Sequence, residues 1–211
     1  RQNITDNIDK VVIGNAVSRD NQEVLAVLEK GIPYISFPEA IKKFYLENRK
    51  SLVVAGTHGK TTTAAILSWV LHSARRKPGF MVGGWMKNFD GNHAIPQGEF
   101  FVSEGDEYDT AFFDKGPKFL HYSPFASILT GVEFDHADIY RDLEHIKDSF
   151  RKFVNIIHPK GFLLAAAADT HTKDVLAGAS CKVETYGFSP SADWVADNYR
   201  FEDGKGYFTL N

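Results

Sequence analysis

The sequence predicts an α/β fold, a mostly parallel sheet with helices on both faces, from three observations. Short apolar runs of strand type alternate with segments of helical periodicity along most of the chain. Several of these runs are apolar at successive positions, as in strands covered on both faces. The tail changes to short β-prone pieces around the turn signal Asp203-Gly204-Lys205-Gly206. Alternating strands and helices require parallel crossovers, and the turn in the tail adds an antiparallel hairpin.

The elements follow in order. Lys10 to Gly14 reads as a short buried strand. Asp20 then caps a helix with Glu23 three residues on; Val24, Val27 and Leu28 form its apolar side and Gly31 stops it. Ile32 to Ile35 is extended. Ser36 and Glu39 have the spacing of a capping box, opening a helix with Ile41, Phe44 and Tyr45 on one side. The polar run Glu47-Asn48-Arg49-Lys50 is the candidate linker. Ser51 to Ala55 is a buried strand. The helix from about Thr61 to Ser73 carries Ala64, Ala65, Ile66, Leu67, Trp69, Val70 and Leu71, apolar around most of its circumference, which predicts cover on more than one side. Phe100 to Val102 and Ala126 to Leu129 are two more buried strands, each running into an acidic or histidine-containing loop. Leu143, Ile146, Phe150, Phe153, Val154 and Ile157 mark an amphipathic helix ended by Pro159 and Gly161, and Gly161 to Ala168 is strand-like. Lys182 to Phe188, Trp194 to Asn198, Tyr199 to Glu202 and Tyr207 to Leu210 are short strands.

Composition narrows the function classes. With 43% hydrophobic and 24% charged residues, the chain is of ordinary globular type, so disorder, collagen and disulfide scaffolds drop out. Twenty-four Lys and Arg against 27 Asp and Glu leave a net charge of −3, too small and mixed for a nucleic-acid footprint or an anionic membrane surface. Any phosphate ligand must therefore be held locally. The one cysteine, Cys181, has no internal disulfide partner and reads as a small buried hydrophobe. No apolar run approaches the ~20 residues of a membrane span, so a cytoplasmic protein of one domain, or one and a fraction, is expected.

The strongest chemistry lies in Gly56-Thr57-His58-Gly59-Lys60-Thr61-Thr62, between a buried strand and a helix. Such a turn aims several backbone N–H groups at one point, where the helix dipole adds partial positive charge, and polyphosphate fits that point. Gly56 and Gly59 let the backbone approach phosphate oxygens, Lys60 supplies a mobile charge, and the Thr61 hydroxyl is placed to ligate magnesium. His58 by itself reads as a loop histidine facing solvent. The loop is shorter than the general phosphate-loop pattern, because Val54 stands where the first glycine would be.

Ser103-Glu104-Gly105-Asp106-Glu107-Tyr108-Asp109 places four carboxylates just past a strand, where an open parallel sheet keeps its ligand crevice. Magnesium held by phosphate oxygens needs only one or two protein carboxylates, and Glu104, nearest the strand end, is the best placed. The bland alternative is a solvated acidic turn. In Thr130-Gly131-Val132-Glu133-Phe134-Asp135-His136-Ala137-Asp138, His136 either ligates a second cation or is satisfied within a loop or cap. The chain lacks the His-Glu-x-x-His, Gly-x-Ser-x-Gly and EF-hand patterns, which disfavours zinc hydrolysis, serine chemistry and calcium binding.

Taken together, Gly56 to Thr63, the run from Ser103 to Lys115 and Glu133-Phe134-Asp135-His136-Ala137-Asp138 resemble the Mur ligases of bacterial cell-wall synthesis, in which Gly-Thr-x-Gly-Lys-Thr is the ATP loop. The likeness runs over nearly the whole chain. It implies a central ATPase domain from residue 51 to 211, incomplete at its end, preceded over 1–50 by the C-terminal part of a Rossmann-like UDP-binding domain. A further domain that brings the amine would be absent. It also implies ATP-dependent, magnesium-assisted joining of UDP-N-acetylmuramate to the tripeptide L-Ala-γ-D-Glu-meso-diaminopimelate through an acyl phosphate, in peptidoglycan recycling. The near rival is the branch that adds L-alanine, and a phosphate-loop kinase or NTPase forming no amide is the more distant one. By that likeness Lys60 holds the outer phosphates, Thr61 and Glu104 one magnesium, and His136 the second. The 211-residue polypeptide alone is expected to bind nucleotide weakly and ligate nothing.

Overall fold

The structure is a computed structural model that describes residues 1–134 and 140–211. Its first elements form a β–α–β unit: β1 (Val11–Ile13), α1 (Gln22–Lys30) and β2 (Tyr34–Ser36), with the two strands parallel. Asn21, not Asp20, caps α1. Its side-chain oxygen accepts from the Glu23 and Val24 amides, so the helix starts one residue later than the Asp20–Glu23 spacing suggests. Gly31 ends it in the left-handed region at φ 65°. Ser36 and Glu39 do form the capping box of α2 (Phe37–Ile41), but that helix is only one turn long before it widens into a π-turn at Lys42–Leu46.

The larger unit is built from β3 (Lys50–Ala55), α3 (Lys60–Ser73), β4 (Gly79–Met86), β5 (Gly91–Ala94), β6 (Phe100–Gly105), the small hairpin β7 (Asp109–Ala111) and β8 (Asp114–Pro117), and β9 (Ala126–Leu129). It continues through α4 (Leu143–Asn155), β10 (Phe162–Ala166), α5 (Thr170–Leu176), β11 (Lys182–Gly187), β12 (Trp194–Glu202) and β13 (Lys205–Leu210). Among the described residues, nine strands form one sheet in the order β13-β12-β11-β10-β9-β3-β6-β4-β5. Every pairing is parallel except β4 with β5 and β12 with β13 at the two edges. Trp194–Glu202 is one strand rather than two; its register shifts beside Asn198, which adopts a positive φ of 52°.

Successive residues of β3 face opposite sides of the sheet and seed two cores. Val53 and Ala55 pack with Phe101, Leu129 and Leu163 under α4, whose Ile146, Phe150, Phe153, Val154 and Ile157 are buried. Val54 packs on the other side with Val102, Phe80, Val82 and Ala64 of α3. Here the sequence expectation for α3 fails. Only Ala64 and Ser68 are buried, whereas Ile66, Val70 and Trp69 are 59%, 55% and 41% exposed, so the helix is covered on one side only. Small Ala64 and Ser68 bring the helix axis close to the sheet, and the Ser68 hydroxyl is satisfied on the Ala64 carbonyl at 2.7 Å. Cys181 is partly buried against the first core, and burial pushes its thiol up. Among the described residues no helix is long and apolar enough to cross a membrane.

Candidate nucleotide site

Parallel register decides which loops can meet. Ala55, the last residue of β3, pairs with Gly105 of β6 on one side and with Leu129 of β9 on the other. The three segments that follow these residues leave the same sheet edge at the carboxyl ends of adjacent strands, the place where such sheets hold ligands.

Gly56 opens the first segment at φ 129°, and a Cβ there would lie 2.9 Å from the Gly131 carbonyl and against the Thr130 hydroxyl. Glycine is required by both the dihedral and the contact. Gly59 caps α3 at φ 80°, with no side-chain capping hydrogen bond among the described residues. Thr57 is buried and serves as a stitch. Its amide donates to the Gly131 carbonyl at 2.9 Å, its hydroxyl accepts from the Glu133 amide at 2.9 Å and donates to the Glu133 carbonyl at 3.1 Å. His58 points outward, with its side chain two-thirds exposed and 3.8 Å from the Glu133 carboxylate. Thr62 is exposed in the first turn of α3.

Lys60 and Thr61 reach the acidic segment. Lys60 Nζ donates to the carbonyls of Gly56 at 2.8 Å and Thr57 at 3.0 Å and lies 2.9 Å from Glu107 Oε2. The Thr61 hydroxyl donates to Glu104 Oε2 at 3.0 Å, and the other Glu104 oxygen accepts from the Gly83 amide. Gly83 belongs to a strand that the sequence reading missed, and a side chain there would press on the Glu104 carboxylate. Lys60, Thr61 and Glu104 therefore share one rim. His136, with Asp135 and Asp138, lies outside the described residues, and among the described residues no three acidic, histidine or cysteine side chains cluster as a metal site.

Sequence reasoning missed three further groups. Glu107 is only 4% exposed and is tied to Lys60 from 47 residues away, while the Tyr140 hydroxyl donates to its carbonyl at 2.8 Å. Burial first, then the neighbouring acids, push the Tyr140 phenol up to about 12, so it stays a donor. Lys118 Nζ lies 2.6 Å from Asp106 Oδ2. Asp169 caps α5 and also accepts from the Val132 amide. Burial raises its carboxyl, but hydrogen bonds from the Thr172 hydroxyl and the Val132, His171 and Thr172 amides outweigh that and hold it below the usual carboxylate range. For Glu107 and Lys118 the only sequence signal was four acids in one loop, which does not say which acid meets which cation.

A cavity of about 600 Å³, within the range of small-molecule sites, opens between the first unit and the sheet. Phe37, Ile41 and Tyr45 of the first unit and Phe80, Val82 and Phe101 of the sheet line it, together with Glu104, Asp106 and Lys118. Tyr122 also lines it, its phenol pushed up by burial and then by Asp106 and Glu104. Glu104 thus faces the phosphate loop and the cavity at once.

The comparisons agree with this architecture. Residues 54–211 match the Mur ligase middle domain and residues 2–49 the Mur ligase family catalytic domain. The chain is 48% identical to the UDP-N-acetylmuramate–L-alanyl-γ-D-glutamyl-meso-2,6-diaminoheptandioate ligase of Escherichia coli, over 80% of this chain and 37% of that protein. It is 35% identical to the UDP-N-acetylmuramate–L-alanine ligase of Carboxydothermus hydrogenoformans, over 97% and 42%. The crystal structure of the UDP-N-acetylmuramate:L-alanyl-γ-D-glutamyl-meso-diaminopimelate ligase from Neisseria meningitides superposes with a TM-score of 0.85 at 39% identity, covering 94% of this chain and 66% of that one. The chain spans about two-fifths of the length of these curated relatives.

Proposed function

This chain belongs to the Mur ligase family, and from that premise we propose that it is the ATP-binding part of an acid–amine ligase. The ligase joins the carboxylate of UDP-N-acetylmuramate to the amine of L-Ala-γ-D-Glu-meso-diaminopimelate in peptidoglycan recycling. The observation that carries the reading is the meeting of Lys60, Thr61 and Glu104 at one rim, with Glu104 shared between the phosphate loop and a ligand-sized cavity. A tripeptide rather than alanine as the amine is favoured by 48% identity to a tripeptide ligase against 35% to an alanine ligase. In this reading residues 1–50 are the end of the UDP-binding domain and residues 51–211 belong to the central one.

The chemistry is phosphoryl transfer followed by acyl transfer. A carboxylate oxygen attacks the γ-phosphorus and ADP leaves; the deprotonated amine then attacks the acyl carbon, and the bond to phosphate breaks. Catalysis of the first step is mostly positioning and charge neutralisation. The loop from Gly56 to Thr62 cradles the phosphates with its amides. Lys60 moves from its carbonyl partners to the β- and γ-phosphates. Thr61 and Glu104 offer two hard oxygen donors that would suit magnesium, and His136 would hold a second ion. When bound, magnesium neutralises charge on the transferring phosphoryl group. The cavity holds the acid so that its carboxylate end abuts Glu104 and the γ-phosphate. The same reading puts the reaction in the cytoplasm, with small-molecule substrates and no nucleic-acid or membrane partner.

The test is phosphate release by the full-length protein with ATP, UDP-N-acetylmuramate and either tripeptide or L-alanine in competition. Turnover should need both the acid and an amine, and the tripeptide should be preferred. Phosphate release without an amine would leave a phosphate-loop NTPase in its place.

A further inference from the structure

Resting on that reading, we propose that Lys118 binds the carboxylate of the acid substrate and makes the cavity selective for an acid over the same sugar nucleotide without one. Among the described residues Lys118 is the only lysine or arginine lining the cavity, whose lining also includes the carboxylates of Glu104 and Asp106. An anionic reactant entering there meets two like charges. It needs a cation of the protein's own, besides any metal, to dwell beside the γ-phosphate.

The ammonium is built into position rather than tethered loosely. Lys118 begins a short 3₁₀ turn, Lys118–His121, and its amide donates to the Tyr108 carbonyl at 3.1 Å. Its side chain is only 17% exposed, and one donor is spent on Asp106 Oδ2 at 2.6 Å. Asp106 is itself fixed, because its second oxygen accepts from the Tyr108 amide at 3.0 Å. An ammonium carries three donors, so two remain for a ligand. The Asp106 contact orients the group without using it up. Glu104 then serves the phosphate side of the reaction centre and Lys118 the acid side, with both lining the same cavity.

The experiment uses the full-length protein and two probes that differ only by the lactyl carboxylate, UDP-N-acetylmuramate and UDP-N-acetylglucosamine, titrated by calorimetry. Lys118→Met should weaken the acid roughly 10- to 100-fold, the range for losing a charge-assisted hydrogen bond, and leave UDP-N-acetylglucosamine and magnesium–ATP within about twofold. Lys118→Arg should restore part of the loss. The double variant Lys118→Met/Asp106→Asn, which strands no carboxylate, should show the same selective loss even where the single variant folds poorly. Equal weakening of both sugar nucleotides, or unchanged affinity for the acid, overturns the assignment. A wild-type protein that binds neither sugar nucleotide removes the functional reading and this inference with it.

Discussion

Replacing Lys60 with Met tests whether the phosphate-loop lysine is also part of what holds the site together. In a solvent-open loop such a change would cost little, since exposed ion pairs contribute about 0–1 kcal/mol. Here the partner is not exposed. Glu107 is 4% accessible, Lys60 Nζ sits 2.9 Å from its Oε2, and the same ammonium ties down the Gly56 and Thr57 carbonyls. Taking the ammonium away breaks a buried ion pair by removing one member, which typically costs about 3–5 kcal/mol. At roughly 2–4 °C per kcal/mol for a chain of this size, the melting temperature should fall by about 6–20 °C.

Glu107→Gln removes the charge but keeps an acceptor, so it should cost less, and the double variant should recover part of the Lys60→Met loss. Non-additivity in this cycle is the signature of direct coupling. Thermal unfolding followed by circular dichroism, with and without magnesium–ATP, reads both. A Lys60→Met protein melting within 1 °C of wild type, or a double variant that is simply additive, would refute the buried-pair argument. Because Glu107 competes with phosphate for Lys60, Glu107→Gln should also bind a fluorescent ATP analogue several-fold more tightly.

Glu104→Ala should abolish ligation by the full-length enzyme while the fold survives, since its partners Thr61 and Gly83 lie toward the open rim; steady-state activity at saturating magnesium checks this, and full activity would count against the assignment. Gly56→Ala should lose nucleotide binding and lower stability by more than about 1 kcal/mol, because φ 129° and the Gly131 backbone leave no place for a Cβ; a nucleotide titration beside a denaturation curve separates the two effects. Asp169 gives a pH dependence. Its carboxyl titrates lower folded than unfolded, so its stabilisation is present above the unfolded value of about 3.9 and drains as pH falls through the lower folded value. Asp169→Asn should flatten that acid limb of the stability profile, and an unchanged limb would show that the carboxylate is not responsible.

The acidic segment shows where sequence stops short of a site. Buried strands β3, β6 and β9 are legible because both their faces are covered, which writes continuous apolar runs; their parallel order then brings three loops to one edge. Strands β4 and β5 are not legible, because Gly83-Gly84 interrupts one and Gly91-Asn92-His93-Ala94 is too polar for a buried run. That omission matters, since Gly83 is what Glu104 leans on. The span of α3 was readable but its cover was not: an apolar circumference says what could be buried, and neighbours decide what is. Within the loop itself, a solvated turn and a metal site were the two readings available for four carboxylates. The structure divides the four instead. Glu104 goes to Thr61, Asp106 to Lys118, Glu107 to Lys60, and Asp109 to exposed Lys115 at 3.2 Å. Only the last behaves as a surface acid. Each of the other three is matched to a donor brought by a different stretch of chain, and local spacing carries no record of such partners.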